Sequence, residues 1–250
     1  MSVSITFDHN RFDLQKLTLP SRYFHFNEGE NYVKLLSIGE GIFPKDRIKT
    51  HFSLQQSSCI VASESATKVY PSPQGQFGIH AIQLDLVSSN LEYMNDEMIL
   101  FQGAKLIQCL HVKASKNSDF FYSDILTHGR SFEAYDFERI VIRNRFSIEG
   151  VLEYHEAFDL SKEVIKSYLI RHHASQMIFA KVYVKCAHLE AYAKNCFDAQ
   201  LGCFGYTQNR QMLLGLFSGS SMVEVKKKVT QAWQIYRTIN QKAKFHLGKW

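Results

Sequence analysis

The sequence predicts a mainly β fold (β-dominated α+β): an elongated body of stacked short strands and a C-terminal α/β portion ending in an amphipathic helix. Phe and Tyr are plentiful, at 19 and 12 of 250 residues, which favours sheets. Apolar and polar residues alternate in several short segments, and this alternation gives way to a mixed pattern in the last third of the chain. We expect one domain over residues 1–250, with a strand-rich body at about 32–160 and a mixed portion at about 175–250.

The strand-rich body is predicted from alternation with a period of two residues. Ile82, Leu84 and Leu86 alternate with Gln83 and Asp85, which is typical of a strand with one solvent-facing side. Two further segments repeat this pattern, and Pro, Gly and Asn predict turns between strands. The strand segments are 106–112 and 140–148, and the turns are 71–75, 117–119 and 149–150.

The C-terminal portion is predicted to mix strands with helices. Residues 178–186 have the pattern of a strand, and 187–197 that of a short helix. Residues 202–206 and 212–217 are expected to pair as a hairpin.

The final element predicted is a long amphipathic helix that begins near Ser221. Ser220 or Ser221 is the expected N-cap, and residues 226–228 are expected to face solvent. The helix packs its apolar stripe against the sheets or uses part of it to dock a partner protein. The apolar positions recur at intervals of three and four residues, and they are Met222, Val225, Val229, Ala232, Tyr236 and Ile239.

Charge is distributed unevenly along the chain. Residues 1–161 carry 15 Lys and Arg against 20 Asp and Glu, whereas residues 162–250 carry 14 against 4. An acidic body with a basic tail suits a protein that docks two chemically different partners, and it is also what drift of a solvated surface produces. The basic excess has no Arg-rich run or RNA-binding aromatic motif, so we expect no nucleic-acid partner.

The signatures of several enzyme classes are missing from the sequence. It has no phosphate-binding loop of the form GxxxxGK[ST], no HExxH helix and no GxSxG elbow. The segment 39–41 (Gly-Glu-Gly) does not continue as a dinucleotide fingerprint. His172 and His173 are adjacent and would point to opposite faces of a strand, so we expect ordinary surface or partly buried histidines. We therefore expect no nucleotide hydrolysis by this chain.

Cysteine usage and hydropathy predict a cytoplasmic protein. The N-terminus does not have the pattern of a signal peptide, and no apolar stretch approaches the roughly 20 residues that span a bilayer. The cysteines show no Cys-x-x-Cys spacing, so buried thiols in a reducing compartment are expected. A thiolate pair of Cys196 and Cys203 around a turn remains open. The five cysteines are Cys59, Cys109, Cys186, Cys196 and Cys203.

The remaining candidates for chemistry are carboxylates and a histidine in the strand-rich body. Oxygen and imidazole ligands suit a divalent ion that is passed on, whereas thiolates would hold it more tightly. The alternative is that these residues are exposed charges without any metal. They are Asp96 and Glu97, which interrupt an apolar segment, and Asp124, His128, Glu133, Asp136 and Glu138, which fall within fifteen residues.

Three short segments, taken in order, resemble one known family. They are 66–72 (Ala-Thr-Lys-Val-Tyr-Pro-Ser), 91–104 (Leu-Glu-Tyr-Met-Asn-Asp-Glu-Met-Ile-Leu-Phe-Gln-Gly-Ala) and 124–130 (Asp-Ile-Leu-Thr-His-Gly-Arg), the last followed by Phe137. By their order and spacing the chain resembles the UreD family, called UreH in some bacteria, of urease accessory proteins. The resemblance covers about Gly39 to Trp250.

The chain departs from the pattern of that family at two places. In the segment 39–47, Pro44 and Lys45 replace the usual small residues, while Asp46 is kept. After His128-Gly129-Arg130, Tyr135 stands where the family has an acid, so the acid is displaced to Glu133 or Asp136.

The resemblance implies a β-dominated scaffold without enzymatic activity. Such proteins bind apo-urease and UreF, and UreF recruits the GTPase UreG. Nickel arriving with UreG then passes through the complex to the urease active site, so no cofactor is bound stably and Ni²⁺ is in transit. The candidate nickel-path residues are Asp46, Asp96, Glu97, Asp124, His128, Glu133 and Asp136.

Two alternatives belong to other functional classes. One is a β-rich module that binds nucleic acid or acidic surfaces through the basic C-terminal third. The other is a hydrolase that uses Asp96 or Glu97 as acid or base, for which no triad or metal motif is present.

Overall fold

The computed structural model describes residues 2–37, 41–129, 133–173 and 177–248, apart from the side chains of Glu28 and Ser37. In these residues it has sixteen strands and three helices. The strands are β1 (Ser2–Asp8), β2 (Arg11–Thr18), β3 (Ser21–Glu28), β4 (Glu30–Ser37), β5 (Arg47–Gln55), β6 (Ser58–Ser63), β7 (Thr67–Val69), β8 (Gly78–Val87), β9 (Asn90–Leu100), β10 (Lys105–Ala114), β11 (Asp119–His128), β12 (Arg139–Ile148), β13 (Val151–Ser161), β14 (Ile178–Lys185), β15 (Cys203–Tyr206) and β16 (Leu213–Gly219). The helices are α1 (Lys162–Arg171), α2 (Leu189–Asp198) and α3 (Met222–Ile239).

The strands form two stacked sheets, and the middle of the chain winds between them like a solenoid. The seven-stranded sheet has the order β13-β12-β10-β8-β5-β1-β2, and the nine-stranded sheet has the order β15-β16-β14-β11-β9-β6-β4-β3 with β7 beside β9. From β5 to β12 successive long strands alternate between the sheets, so that neighbours within each sheet run parallel. Antiparallel strands extend both sheets at their ends. The prediction of a mainly β body of stacked strands is confirmed.

The period-two segments occupy the centre of this body. Ile82, Leu84 and Leu86 of β8 are buried between the sheets, and Gln83 and Asp85 point outward with partial exposure. Because inward side chains of both sheets meet there, an apolar cluster forms between the strands. The predicted turn at 149–150 is confirmed as a two-residue link between β12 and β13, with φ of 51° at Glu149 and 77° at Gly150.

The helices α2 and α3 pack on the outer face of the nine-stranded sheet. The apolar stripe of α3 is confirmed, since Val225, Val229, Ala232 and Tyr236 are buried against that sheet. The predicted strand and hairpin of the C-terminal portion are confirmed as β14 and the pair β15–β16. Packing thus accounts for this stripe.

The sequence boundaries need three corrections. Strands begin at Ser2 rather than near residue 32, because β1 buries Val3, Ile5 and Phe7. The strands β2 and β3 are largely exposed, and their weak alternation of apolar and polar residues does not indicate strands from sequence. The helix α1 was not predicted, since it buries only two apolar side chains. Lys226 is not solvent-facing, because its ammonium group pairs with carboxylates of β9.

The five cysteines are free, and three of them (Cys59, Cys186 and Cys196) are buried, as expected for small apolar side chains. Cys109 is partly buried, and Cys203 is exposed. The last two therefore depart from the expected burial. His172 and His173 lie at the exposed end of α1, not in a strand.

The uneven charge of the sequence is partly balanced within the fold. Six of the 14 Lys and Arg residues of 162–250 pair with acids of residues 1–161, so the acidic body and the basic tail neutralise part of each other's charge. The pairs are Lys166–Asp136, Lys181–Glu156, Lys185–Asp119, Lys226–Asp96, Lys226–Glu97, Arg237–Glu30, Arg237–Glu92 and Lys242–Glu92. Neither explanation considered from the sequence alone included this intramolecular role.

Candidate functional site

A layer of polar side chains crosses the interior between the two sheets. The register of neighbouring strands places these side chains side by side. Gln108 of β10 lies opposite His80 of β8, and Asp124 of β11 lies opposite Lys181 of β14. We call this layer the polar seam. Its members are His80, Asn95, Gln108, Asp124, Asn144, Glu156 and Lys181.

Asp124 lies at the centre of the polar seam. Its carboxylate accepts hydrogen bonds from Gln108 Nε2 at 2.8 Å, Tyr122 OH at 3.1 Å and Asn95 Nδ2 at 3.2 Å. Burial raises the pKa of Asp124 to about 7, although Tyr122, Lys181 and Gln108 act in the opposite direction. The carboxyl group therefore changes charge near neutral pH.

Glu156 of β13 is the second carboxylate of the polar seam. Its Oε1 accepts hydrogen bonds from Lys181 Nζ at 2.7 Å, Tyr183 OH at 3.1 Å and Asn144 Nδ2 at 3.2 Å. The Lys181 ammonium also lies 4.2 Å from the ring centre of Phe158, which favours a cation at this point. The Asn144 side chain leaves its Oδ1 buried without a hydrogen-bond partner in the described part of the chain. This arrangement holds one internal cation between acidic and amide groups.

Two cavities meet the polar seam from different ends. The larger, of about 530 Å³, is lined by Asp124, Glu156, Lys181 and Asn144 among others. The smaller, of about 270 Å³, is lined by His80 and by the side chain of Asn95 among others. Because Asn95 donates to Asp124, one hydrogen bond joins the walls of the two cavities.

His80 lines the smaller cavity and is neutral at physiological pH. Burial lowers the pKa of His80 to about 4, and its Nδ1 has no hydrogen-bond partner among the described residues. A neutral imidazole with a free ring nitrogen is a suitable transient ligand for a divalent transition metal.

The donor set of the polar seam suits a cation in passage rather than one held permanently. Two carboxylates, an orphaned amide oxygen and a neutral imidazole are distributed along the layer, and Lys181 already neutralises part of the charge. Within the part of the chain that the structure describes, no three His, Cys, Asp or Glu residues converge as a metal-binding group. A divalent ion would therefore keep part of its water shell while it exchanges ligands.

The seven candidate residues from the sequence are not brought together. Only Asp124 lies in the polar seam. Asp96 and Glu97 lie near α3, where Lys226 Nζ is 3.4 Å from Asp96 Oδ1 and 2.6 Å from Glu97 Oε2. Asp136 pairs with Lys166 of α1. These acids are neutralised by cations of the C-terminal portion.

The other three candidates lie at turns and at one end of β11. The Asp46 carboxylate accepts a hydrogen bond from Phe43 N at 2.9 Å and so closes its own loop. Glu133 Oε2 accepts from Gln102 N at 3.0 Å, and a Cβ on Gly129 would overlap the Glu133 carboxylate. This close approach accounts for the glycine after His128, which is itself buried. The neighbouring Gly39, Glu40 and Arg130 of the quoted segments lie outside the described residues.

Glu156 is a functional candidate that the sequence analysis missed. It stands between Tyr154 and Phe158, at an inward position of a strand in which apolar and polar residues do not alternate cleanly. The available signal was a carboxylate at an inward-facing position of β13, opposite Asn144 of β12. Glu156 can be recognised as inward-facing only once the pairing of these two strands is known.

The raised pKa of Asp124 predicts a measurable pH dependence of stability. A carboxyl group whose pKa rises from 3.8 in the unfolded chain to about 7 binds more protons when folded. Its contribution to the free energy of unfolding is therefore greatest below pH 4 and is lost as pH rises to 7. The Asn side chain does not titrate, so the stability of Asp124→Asn relative to the natural chain is expected to rise by on the order of 2 kcal/mol between pH 5 and pH 8. Urea unfolding of both proteins at the two pH values measures this difference. An identical difference at both values would contradict it.

None of the helices in the described residues is long and apolar enough to cross a membrane.

Comparisons with known proteins identify relatives over the whole chain. A family model described as UreD urease accessory protein matches residues 17–247, so the likeness begins well before residue 39. The urease accessory protein UreD of Aliarcobacter butzleri (strain RM4018) is 45% identical over 250 residues, which cover 100% of both chains. UreD of Bacillus sp. (strain TB-90) is 30% identical over 133 residues, covering 51% of this chain and 48% of that relative. UreD of Staphylococcus aureus (strain bovine RF122 / ET3-1) is 28% identical over 123 residues, covering 47% and 44%.

Proposed function

Because the chain belongs to the UreD family of urease accessory proteins, we propose that it binds apo-urease and, with UreF and UreG, enables nickel delivery to the urease active site. The relatives are named accessory proteins, and the chain likewise assists an enzyme rather than acting as one. Nickel is the cargo of this process and not a resident cofactor. The expected location is the cytoplasm.

The observation that carries the proposal is the polar seam between the two cavities. A cation crossing a sandwich of apolar side chains needs a series of oxygen and nitrogen ligands, because an unpaired ion in such an interior is strongly disfavoured. Asn95, Asp124 and Gln108 supply a continuous hydrogen-bonded series at the middle of the core. The polar seam supports this route better than the other acids, because Asp124 accepts hydrogen bonds from neutral groups, whereas Lys166 and Lys226 form ion pairs with those acids.

In this mechanism the residues of the chain guide the ion in steps. His80 and Asn95 meet nickel at the smaller cavity, and Asp124 takes it over when its carboxyl group is ionised. Lys181 holds Glu156 in an ion pair until the arriving ion displaces the ammonium group, which then remains beside Phe158. The cost of breaking that pair keeps the binding weak and the passage reversible.

Co-expression with the urease subunits, UreF and UreG tests the proposal. We expect this chain, carrying an affinity tag, to capture urease and UreF, and urease from cells without the chain to be poor in nickel by metal analysis. Capture of neither urease nor UreF by the natural chain would overturn the proposal. Glu97→Ala and Asp136→Ala test whether the other candidate acids contribute, and normal nickel loading in both would place them off the path.

The alternative of nucleic-acid binding through the basic C-terminal third loses its main support in the fold. Six cations of that third, from Lys166 to Lys242, form ion pairs with acids of the body. Their charge is therefore not available as a free basic surface. A hydrolase using Asp96 or Glu97 is not supported either, since both carboxylates pair with Lys226.

A further inference from the structure

The outer face of the seven-stranded sheet is a basic surface. The helices α2 and α3 pack on the other sheet, and the outward side chains of β5, β8, β10 and β12 face solvent in whole or in part. We call these outward positions, together with those of β13, the basic face. Four exposed cations on it form no ion pair within the described ranges, and they are Lys49, Lys113, Arg143 and Arg145.

The basic face has an apolar centre. Ile107 of β10 lies in register between Ile79 of β8 and Val141 of β12, and all three are partly exposed. The unpaired cations surround this short apolar row, and the nearest acids on the face are already engaged: Asp85 with His51 and Asp159 with Arg139. An apolar centre with a charged rim is the usual anatomy of a protein interface.

The size of the basic face suits a stable complex. Five neighbouring strands about 4.8 Å apart and roughly nine residues long cover roughly 700 Å². A standard protein interface buries about 800 Å² on each partner. The face is therefore large enough for one specific contact.

We propose that the basic face docks an acidic surface of a partner protein. Charge complementarity determines the occupant, because exposed cations outnumber acids on the face, and Asp85 and Asp159 balance only part of the charge of Lys113 and Arg143. Among the outward positions of the four central strands no Phe, Tyr or Trp is present, so the stacking platforms typical of single-stranded nucleic-acid binding are missing. A second copy of the chain would bring an equal surface of like charge.

A labelled 20-residue polyglutamate peptide tests the charge preference in the full chain. We expect Arg143→Glu combined with Arg145→Glu to weaken peptide binding at least tenfold, and rising NaCl to weaken binding to the natural chain steeply. Lys194→Glu combined with Lys227→Glu makes the same charge change on exposed helical positions far from the basic face. That control is expected to bind the peptide as the natural chain does. Equal weakening in both double variants would overturn the proposal, since net charge alone would then explain binding.

Further measurements separate the competing occupants. Both double variants are expected to have thermal unfolding midpoints within about 2 °C of that of the natural chain, because the changed side chains are exposed. Tighter binding of duplex DNA or RNA than of the peptide, lost with Arg143→Glu and Arg145→Glu, would overturn the proposal in favour of nucleic acid. A dimer of the natural chain that the same variant dissociates would overturn it in favour of self-association.

The same variants in the co-expression experiment connect the basic face to a partner. We expect the Arg143→Glu and Arg145→Glu variant to lose capture of at least one protein that the natural chain and the Lys194→Glu and Lys227→Glu control retain. Full capture by all three would overturn the docking role. Capture of no urease-system protein by the natural chain would instead overturn the proposed function, so the two failures are distinguishable.

Discussion

Replacing Asp124 by Asn together with Glu156 by Gln is expected to lower the nickel content of urease at least tenfold while leaving the accessory complex assembled. Both side chains line the larger cavity, and each keeps its size in the variant, while one of its two acceptor oxygens becomes an amide donor. The negative charge that attracts and passes a divalent ion is lost. Metal analysis of urease purified from co-expressing cells measures the effect.

The matched control for this variant changes two carboxylates outside the interior. Asp159 pairs with Arg139 on the surface, and Glu224 pairs with Lys228 along α3. Asp159→Asn combined with Glu224→Gln makes the same change in net charge and is expected to leave nickel loading unchanged. Normal loading by the Asp124→Asn and Glu156→Gln variant would show that the polar seam is not the route.

Arg237→Met is expected to lower the free energy of unfolding by about 3 kcal/mol, because it removes one of the two cations that pair with a buried carboxylate. Glu92 is fully buried beneath α3, and its carboxylate is 2.7 Å from Arg237 Nη1 and 2.7 Å from Lys242 Nζ. Trp233 Nε1 also donates to Glu92 at 2.6 Å. Removing the guanidinium group thus weakens the attachment of the last turn of α3 to the sheet.

Urea unfolding of Arg237→Met and of Lys228→Met measures this difference. Lys228 forms an exposed ion pair with Glu224 one helical turn away, at 2.7 Å, and its loss is expected to cost only about 0.5 kcal/mol or less. Both variants exchange a cation on α3 for Met, so helix propensity changes little. Equal losses of stability would contradict the central role of the buried pair.

The local periodicity of apolar residues was sufficient to predict the helices and strands that have one buried face and one solvent-facing face. The stripe from Val225 to Tyr236 and the alternation from Ile82 to Leu86 both follow from one buried face and one wet face. Where both faces are covered, this signal disappears. Glu92 lies in such a strand, and nothing near it in the sequence indicates that Arg237 neutralises it from 145 positions away.

The candidate site was predictable only in part for the same reason. Asp124 was identified as one of five acidic or histidine residues within fifteen positions, whereas Glu156 depends on the pairing of β12 with β13. Acids of the strand-rich body were predicted to cluster because they are close in sequence. Strand alternation and the ion pairs with Lys166 and Lys226 separate them instead.

The wide sequence separation between Glu92 and Arg237 has a consequence during biosynthesis. A ribosome adds about 5–20 residues per second, so the guanidinium group emerges roughly 7–30 s after the acid it neutralises, 145 positions earlier. Throughout that interval the half-made chain presents an uncovered apolar sheet with an unpaired charge at its middle. Newly made chains are therefore most vulnerable to aggregation just before translation reaches their last helix.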